Sequence, residues 1–392
     1  MNIAYVGDIT NHGVSLPTFG TSMLILLSRL DDIHSIDVYC PFRTNNDIDF
    51  NYPKITIHEK YTSKSTMSYV SLYSVDWGRY DLIIFSMHPT SYGIGTIQNA
   101  IGLFLPLYIG ILKKWKTIVI YHNSIYTNDI KKLGYNKTLD RIRSFVLSIL
   151  ERTLFTNIPT YVLLRHYKRL IDAAIGENRV RPLLLNEIEG VVSYCLNNQQ
   201  LFRPVNIKLN YLESPVILLY GNWGPQKNLL LALSSLARAR ERGYNFSLVL
   251  AGEINKNFSE YGFEHENLVR DYSNIISELK GYVPEREVGE LFLMTDIVLL
   301  PYNAPGGHSG VLAESMFYGC KVVSLDFPEY REQASDYGNI TFTREENFEE
   351  ALCLSLDKAH TEINRISQFS HLIIKNQEKL REVIGTWNKV DT

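Results

Sequence analysis

Short runs of β-branched and aliphatic residues alternate along the chain with longer stretches whose apolar positions recur every three or four residues. Runs of the first kind suit strands buried on both faces of a parallel sheet, and stretches of the second kind suit helices that cover such a sheet. The alternation predicts an α/β fold. In the first half, strands are expected at Asn2–Val6, Ile36–Cys40, Lys54–His58, Asp81–Phe85, Thr117–Tyr121, Thr160–Leu164 and Gly190–Tyr194. A second series is expected at Val216–Tyr220, Phe246–Ala251, Ile297–Leu300 and Lys321–Leu325.

Between the strands, the opening loop Gly7–Gly20 is expected to lead into an apolar helix at Met23–Leu30. In Thr138–Thr153, the positions Ile142, Phe145, Val146, Ile149 and Leu150 share one helical face, read as the face that packs on the sheet. Periodicity lapses in the polar segment Asn197–Glu213 around Pro204, the expected crossing between two sheets. Residues 347–390 read as helix without a further strong strand.

Length and charge narrow the function. At about 100–200 residues per domain, 392 residues suggest two domains. Thirty-nine Lys and Arg against 42 Asp and Glu give a formal charge of -3, so no bulk field recruits nucleic acid. Cys40, Cys195, Cys320 and Cys353 lie far apart, with no metal-ligand spacing or disulfide framework. A basic segment followed by an apolar core is absent from the N-terminus, which predicts a cytoplasmic protein. The most apolar stretch, Ile101–Leu112, is shorter than the ~20 residues of a spanning helix and runs into Lys113, Lys114 and Lys116. Both a core helix and a helix lying on the inner face of a membrane fit it.

In open α/β sheets ligands bind beyond the carboxyl ends of strands, and four places there carry chemistry. After the strand ending at Leu300, Gly306, Gly307, Ser309 and Gly310 precede a helix containing Glu314. Glycines admit a ligand close to the backbone, and free N–H groups at a helix start attract phosphate. Glu314, one turn inside, is placed to accept hydrogen bonds from a ribose diol; an ordinary Gly-rich turn with a solvated glutamate is the alternative. After the strand ending at Tyr220 come Gly221, Asn222 and Lys227, whose ammonium is suited to a diphosphate across the same cleft, unless it is simply an exposed first-turn lysine. His122 follows Thr117–Tyr121 and is either a sugar-hydroxyl partner or a structural histidine. Backbone amides near Gly20 form the fourth place, although the loop lacks the spacing of a dinucleotide or P-loop fingerprint.

These segments together resemble the GT-B glycosyltransferases, specifically the retaining family GT4, over nearly the whole chain. The most specific part runs from Leu279 to Ser324, where LKGYVPEREVGELFLMTDIVLLPY and SGVLAESMFYGCKVVS look like the family's "G-x-V, helix, D-hydrophobic-P" stretch and its glutamate-bearing helix. GNWGPQKN is similar to the family's G-R-x-x-x-x-K-N, and NNQQLFRP to its interdomain D-x-x-x-F-x-P. FGTSMLILLSRL and YHNS are similar to its first Gly-rich helix start and its acceptor-side histidine.

The resemblance implies two Rossmann-like domains facing across a cleft. These are an acceptor domain over 1–205, a nucleotide-sugar domain over 206–355 and a helical segment over 356–392 that returns to the first domain. It implies that Glu314 binds the ribose, that Ser309, Gly310, Val311 and Leu312 hold the diphosphate by their backbone, that Lys227 counters its charge and that Val283 contacts the base. Gly20, Gly221 and Asn222 complete the implied donor site, and His122 joins Lys227 and Glu314 as catalytic. Two departures stand out: Gly306 occupies the position of a sugar-touching glutamate, and Asn222 that of an arginine; an S-G-V-L subset shares the first. The implied activity is transfer of a sugar from a UDP- or GDP-sugar to a glycan or lipid-linked acceptor, with retention and without metal or other cofactor. The implied partners are the donor, the acceptor and a peripheral membrane contact through Ile101–Lys116, with no nucleic acid. An epimerase on the same scaffold and a non-catalytic sugar-nucleotide-binding subunit are the alternatives.

Overall fold

The computed structural model describes residues 1–9, 15–42, 52–61, 70–87, 96–114, 116–122, 124, 126–127, 138–192, 195, 215–255, 258–304, 307–359 and 369–388. Asn197–Glu213, the expected interdomain segment, and Gly306 lie outside the described residues.

Among the described residues there are two parallel sheets, of seven and six strands. The first contains β1 (Asn2–Val6), β2 (Ser35–Pro41), β3 (Ile55–Tyr61), β4 (Leu82–Met87), β5 (Thr117–Tyr121), β6 (Thr160–Val162) and β7 (Val180–Pro182), in the order β3-β2-β1-β4-β5-β6-β7. The second contains β8 (Val216–Tyr220), β9 (Ser247–Ala251), β10 (Ile276–Lys280), β11 (Ile297–Leu300), β12 (Lys321–Leu325) and β13 (Ile340–Thr343), in the order β10-β9-β8-β11-β12-β13. Central strands such as β4, LIIFSM, are buried at every position, because helices cover both faces. Each order reverses direction once, between β1 and β4 and between β8 and β11, and a reversal leaves a crevice beyond the carboxyl ends of those two strands.

The two halves touch directly. The carboxylate of Glu332 accepts hydrogen bonds from the backbone amides of Arg165 and His166, the latter at 2.7 Å. The helix Phe369–Asn388 packs against the helix Ser15–Ser28, and its Lys375 pairs with Glu187 at 3.4 Å and with Asp336 at 3.7 Å.

Several expectations are corrected. Residues 190–192 form a helical turn rather than a strand, because the run is caught between halves: a methyl at Gly190 would meet the Phe317 ring at 2.3 Å. β7, β10 and β13, which hydrophobic patterning does not reveal, are short strands at sheet edges, where one side lacks a partner and the apolar run is weak. The first helix starts at Ser15, so Gly20 lies inside it and is no helix-start amide. Gly20 is instead required by packing, since a methyl there would stand 2.4 Å from the Tyr5 hydroxyl oxygen.

The helix Thr138–Asn157 turns the opposite face inward. Leu147, Glu151, Leu154 and Phe155 are buried, whereas Phe145, Val146 and Ile149 are exposed. Glu151 tolerates burial because Tyr121 Oη donates to it at 2.9 Å and Ser124 Oγ donates to its other oxygen. In Ile101–Leu112 the pattern is mixed. Leu103, Leu105, Leu107 and Ile109 are core, while Phe104, Ile111 and Leu112 are exposed beside exposed Lys113 and Lys114. Pro106 lies inside the helix Thr96–Leu107, and a wider π-helical turn, Tyr108–Leu112, follows it.

Candidate active site

The crevice at the β8/β11 reversal opens into a cavity of about 390 Å³. Its floor is made where β8 and β9 end. Gly221 (φ 138°) and Gly252 (φ 117°) both adopt the left-handed half of backbone space, and Gly252 approaches so closely that a methyl would stand 1.9 Å from the Gly221 carbonyl oxygen. The turn Pro225–Lys227 follows, and the left-handed Asn228 ends it and starts the helix Leu229–Glu241. This turn brings the Lys227 ammonium back over the strand end. A methyl at Gly221 would be 3.2 Å from Lys227 Nζ and 3.7 Å from Val311 Cγ2, so the lysine and the helix Gly310–Phe317 flank the same glycine.

Lys227 has no carboxylate within 4 Å among the described residues; its Nζ lies 3.8 Å from the centre of the Tyr302 ring. Loss of hydration pushes its pKa down to about 7. A cation held by an aromatic face with no counter-charge is prepared for an anion.

At the start of the helix Gly310–Phe317, the amides divide by use. Ser309 N–H donates to Gln333 Oε1 at 2.9 Å, and Leu312 N–H donates to the Ser309 hydroxyl at 3.2 Å. Gly310 and Val311, the first two helical residues, line the cavity with amides that the helix itself leaves over. The four-residue cradle expected from Ser309–Leu312 is therefore two amides, capped and braced by Ser309 and Gln333. Glu314, one turn on, is buried and lines the same cavity, as do Glu285 and Tyr220.

Of the residues singled out from the sequence, Gly221, Asn222, Lys227, Ser309, Gly310, Val311 and Glu314 line this one cavity. Leu312 is buried in the core behind it, and Val283 is buried two residues before the lining residue Glu285. Gly20 lies under Tyr5, and His122 is outside the lining. His122 Nε2 is 2.9 Å from Ser86 Oγ and its ring stands edge-on to Phe19, at the carboxyl end of the first sheet.

Two lining residues had no signal in the sequence. Glu189, from the first half, pairs through Oε1 with His308 Nδ1 at 3.1 Å, and both side chains are almost fully buried. His308 lies within the Gly-rich segment Gly306–Gly310 but has no partner near it in the chain, Glu189 sits in no motif, and only folding brings the two together.

Residues 205–364 match the family model described as glycosyl transferases group 1. No curated protein matches the chain. Solved structures match along nearly its whole length. WaaG, a glycosyltransferase involved in lipopolysaccharide biosynthesis, is 14% identical, with 97% of this chain and 94% of WaaG covered and a TM-score of 0.59. Anabaena HepE in complex with UDP and glucose is 12% identical, with 98% and 100% covered and a TM-score of 0.63. Sucrose-phosphate synthase from Thermosynechococcus elongatus is 14% identical, with 97% and 94% covered and a TM-score of 0.59. At these identities the solved structures speak to fold, and the family match speaks to the second sheet and its cavity. Residues 205–364 thus match the glycosyl transferases group 1 family, and the whole chain has the GT-B fold that these solved glycosyltransferases share.

Proposed function

We propose that the protein transfers a hexosyl group from a UDP- or GDP-sugar to a glycan or lipid-linked acceptor with retention of configuration. The observation that carries this reading is that Lys227 and the Gly310 and Val311 amides meet in one cavity, across a single glycine. A diphosphate fits between them, with Glu314 one helical turn away for the ribose hydroxyls. HepE, which holds UDP and glucose, supports UDP as the first nucleotide to test.

In the retaining step, the bond from the anomeric carbon to the diphosphate oxygen breaks while a bond to the acceptor oxygen forms on the same face. The acceptor proton passes to the departing diphosphate. The protein supplies fixed positive charge where negative charge grows, from Lys227 and two preorganised amides, with the reacting groups held in place. We assign no metal to this step, and turnover should persist in a chelator such as EDTA. His122 remains in the reading as an acceptor-side residue, with Ser86 fixing its ring.

The test is a thermal-shift screen with UDP, GDP, ADP and their sugars, followed by product analysis with an acceptor panel. A ligand that binds only the native state raises its melting temperature. The expected result is stabilisation by one nucleotide and its sugar, with transfer of that sugar. A protein stabilised by no nucleotide overturns the reading. Conversion of the donor alone indicates the epimerase, and binding without turnover indicates the non-catalytic subunit.

The proposal includes a peripheral contact with an anionic membrane. It is supported by Ile111 and Leu112 exposed next to Lys113, Lys114 and Lys116, and by Phe145, Val146 and Ile149 exposed on the helix that packs against the preceding helix Thr96–Leu107. Apolar side chains rimmed by lysines match the boundary between acyl chains and anionic headgroups. No described helix is long and apolar enough to cross a membrane.

A further inference from the structure

Inside the cavity, the His308–Glu189 pair is left over by the proposed chemistry. Glu189 is fixed from the first half: Ser22 Oγ donates to its carbonyl at 3.3 Å and accepts from the amide of Val192 at 3.1 Å. His308 is fixed from the second half. Gly307 turns the chain at φ 114°, and Gln333 holds the next residue, Ser309, by both its N–H and its carbonyl at 2.9 Å. Gln333 Nε2 also lies 3.4 Å from the carbonyl of Asn186, on the strand of chain that carries Glu189. Both ends of the pair are therefore held by backbone bonds from opposite halves.

The pair satisfies only half of each partner. His308 Nδ1 faces Glu189, while His308 Nε2 and Glu189 Oε2 are buried with no hydrogen-bond partner. A buried polar atom without a partner is costly, so such an atom beside a cavity points to a bound group that completes it. The histidine also stands at a defined place along a donor. If the diphosphate lies on Gly310 and Val311 and the ribose reaches forward to Glu314, the transferred sugar lies behind the helix start, where His308 is.

We propose that His308 is a sugar-contacting residue whose Nε2 hydrogen-bonds a hydroxyl of the transferred hexosyl group, and that Glu189 is its positioning residue. This rests on the reading of the cavity as a nucleotide-sugar site. The carboxylate holds the ring in one orientation by accepting from Nδ1–H, which leaves Nε2 for the ligand. The assignment gives the first half of the molecule a part in donor selection, because Glu189 can orient His308 only when the halves are together.

The test measures dissociation constants for UDP and UDP-glucose, and for GDP and GDP-mannose, in the full chain and in His308→Asn, His308→Gln and Glu189→Gln. The asparagine amide keeps a donor for Glu189 and lacks an atom at Nε2, whereas the glutamine amide reaches the Nε2 position. Expected for His308→Asn is an affinity for the free diphosphate within about twofold of the parent and an affinity for its sugar conjugate about tenfold weaker. His308→Gln restores most of that loss, and Glu189→Gln weakens the sugar conjugate alone. Equal loss of diphosphate and sugar conjugate in His308→Asn, or no loss of either, overturns the assignment. A parent protein that binds none of the four probes overturns the nucleotide-sugar reading itself, a result distinct from either.

Discussion

Lys227 concentrates the electrostatics of the cavity. With its pKa held near 7 by lost hydration, the amine is charged below that pH and increasingly neutral above it. A diphosphate bound beside it favours the charged form, so binding raises the lysine pKa. The sign follows directly: affinity is flat below about pH 7, and above it falls by up to about tenfold per unit until the pKa of the complex is reached. Calorimetry of UDP at pH 8 in buffers of different ionisation enthalpy should show uptake of close to one proton, and uptake should vanish in Lys227→Met. Lys227→Ala should weaken UDP by about 10–100-fold, and Glu314→Gln should lower transfer while the melting temperature of the free protein changes little. Unchanged UDP affinity in Lys227→Ala would remove the lysine from the site. Lys227 and Glu314 were legible because each follows a recognisable strand and turn. His308 and Glu189 were not, because each is half of a pair whose other member is remote in the chain.

Strand ends and helix faces decide whether those side chains converge. Gly252 and Gly243 both have left-handed backbones, at φ 117° and 89°, but a methyl meets the Gly221 carbonyl at 1.9 Å in the first case and nothing within 4 Å in the second. Gly243→Ala should cost about 1–2 kcal/mol in chemical unfolding, from backbone strain alone. Gly252→Ala should cost more, about 3 kcal/mol or above, and should weaken UDP as well, because it displaces the strand end that carries Lys227. Equal costs for the two substitutions would contradict this account of the cavity floor. The interior strands were readable as continuous apolar runs, whereas the edge strands β7, β10 and β13 were not, since edges carry less of the core. The helix Thr138–Asn157 misled for a different reason: its buried face includes Glu151, satisfied by Tyr121 and Ser124, so hydrophobic periodicity selected the outer face.

Over the whole molecule, that outer face bears on the proposed membrane contact. Phe145 and Ile149 are exposed on a helix that packs against Thr96–Leu107, the helix that leads into Leu112, Lys113, Lys114 and Lys116, and attraction to an anionic bilayer is worth about 1 kcal/mol per lysine. Co-sedimentation with vesicles containing phosphatidylserine should therefore weaken by about 100-fold when the three lysines become glutamine, and should also weaken in Phe145→Asp with Ile149→Asp. Binding that is absent at low salt, or unaffected by both changes, would rule the contact out. The two parallel sheets, their interior strands, the loop with Lys227 and the helix start with Gly310, Val311 and Glu314 are all legible in the chain, because they depend on runs of residues close together in it. Folding alone settles which helix face is buried, that Gly20 serves packing, that His122 pairs with Ser86 and that Glu189 reaches His308. These depend on partners far apart in the chain, and no local pattern of hydrophobic and polar positions records which distant groups will satisfy one another.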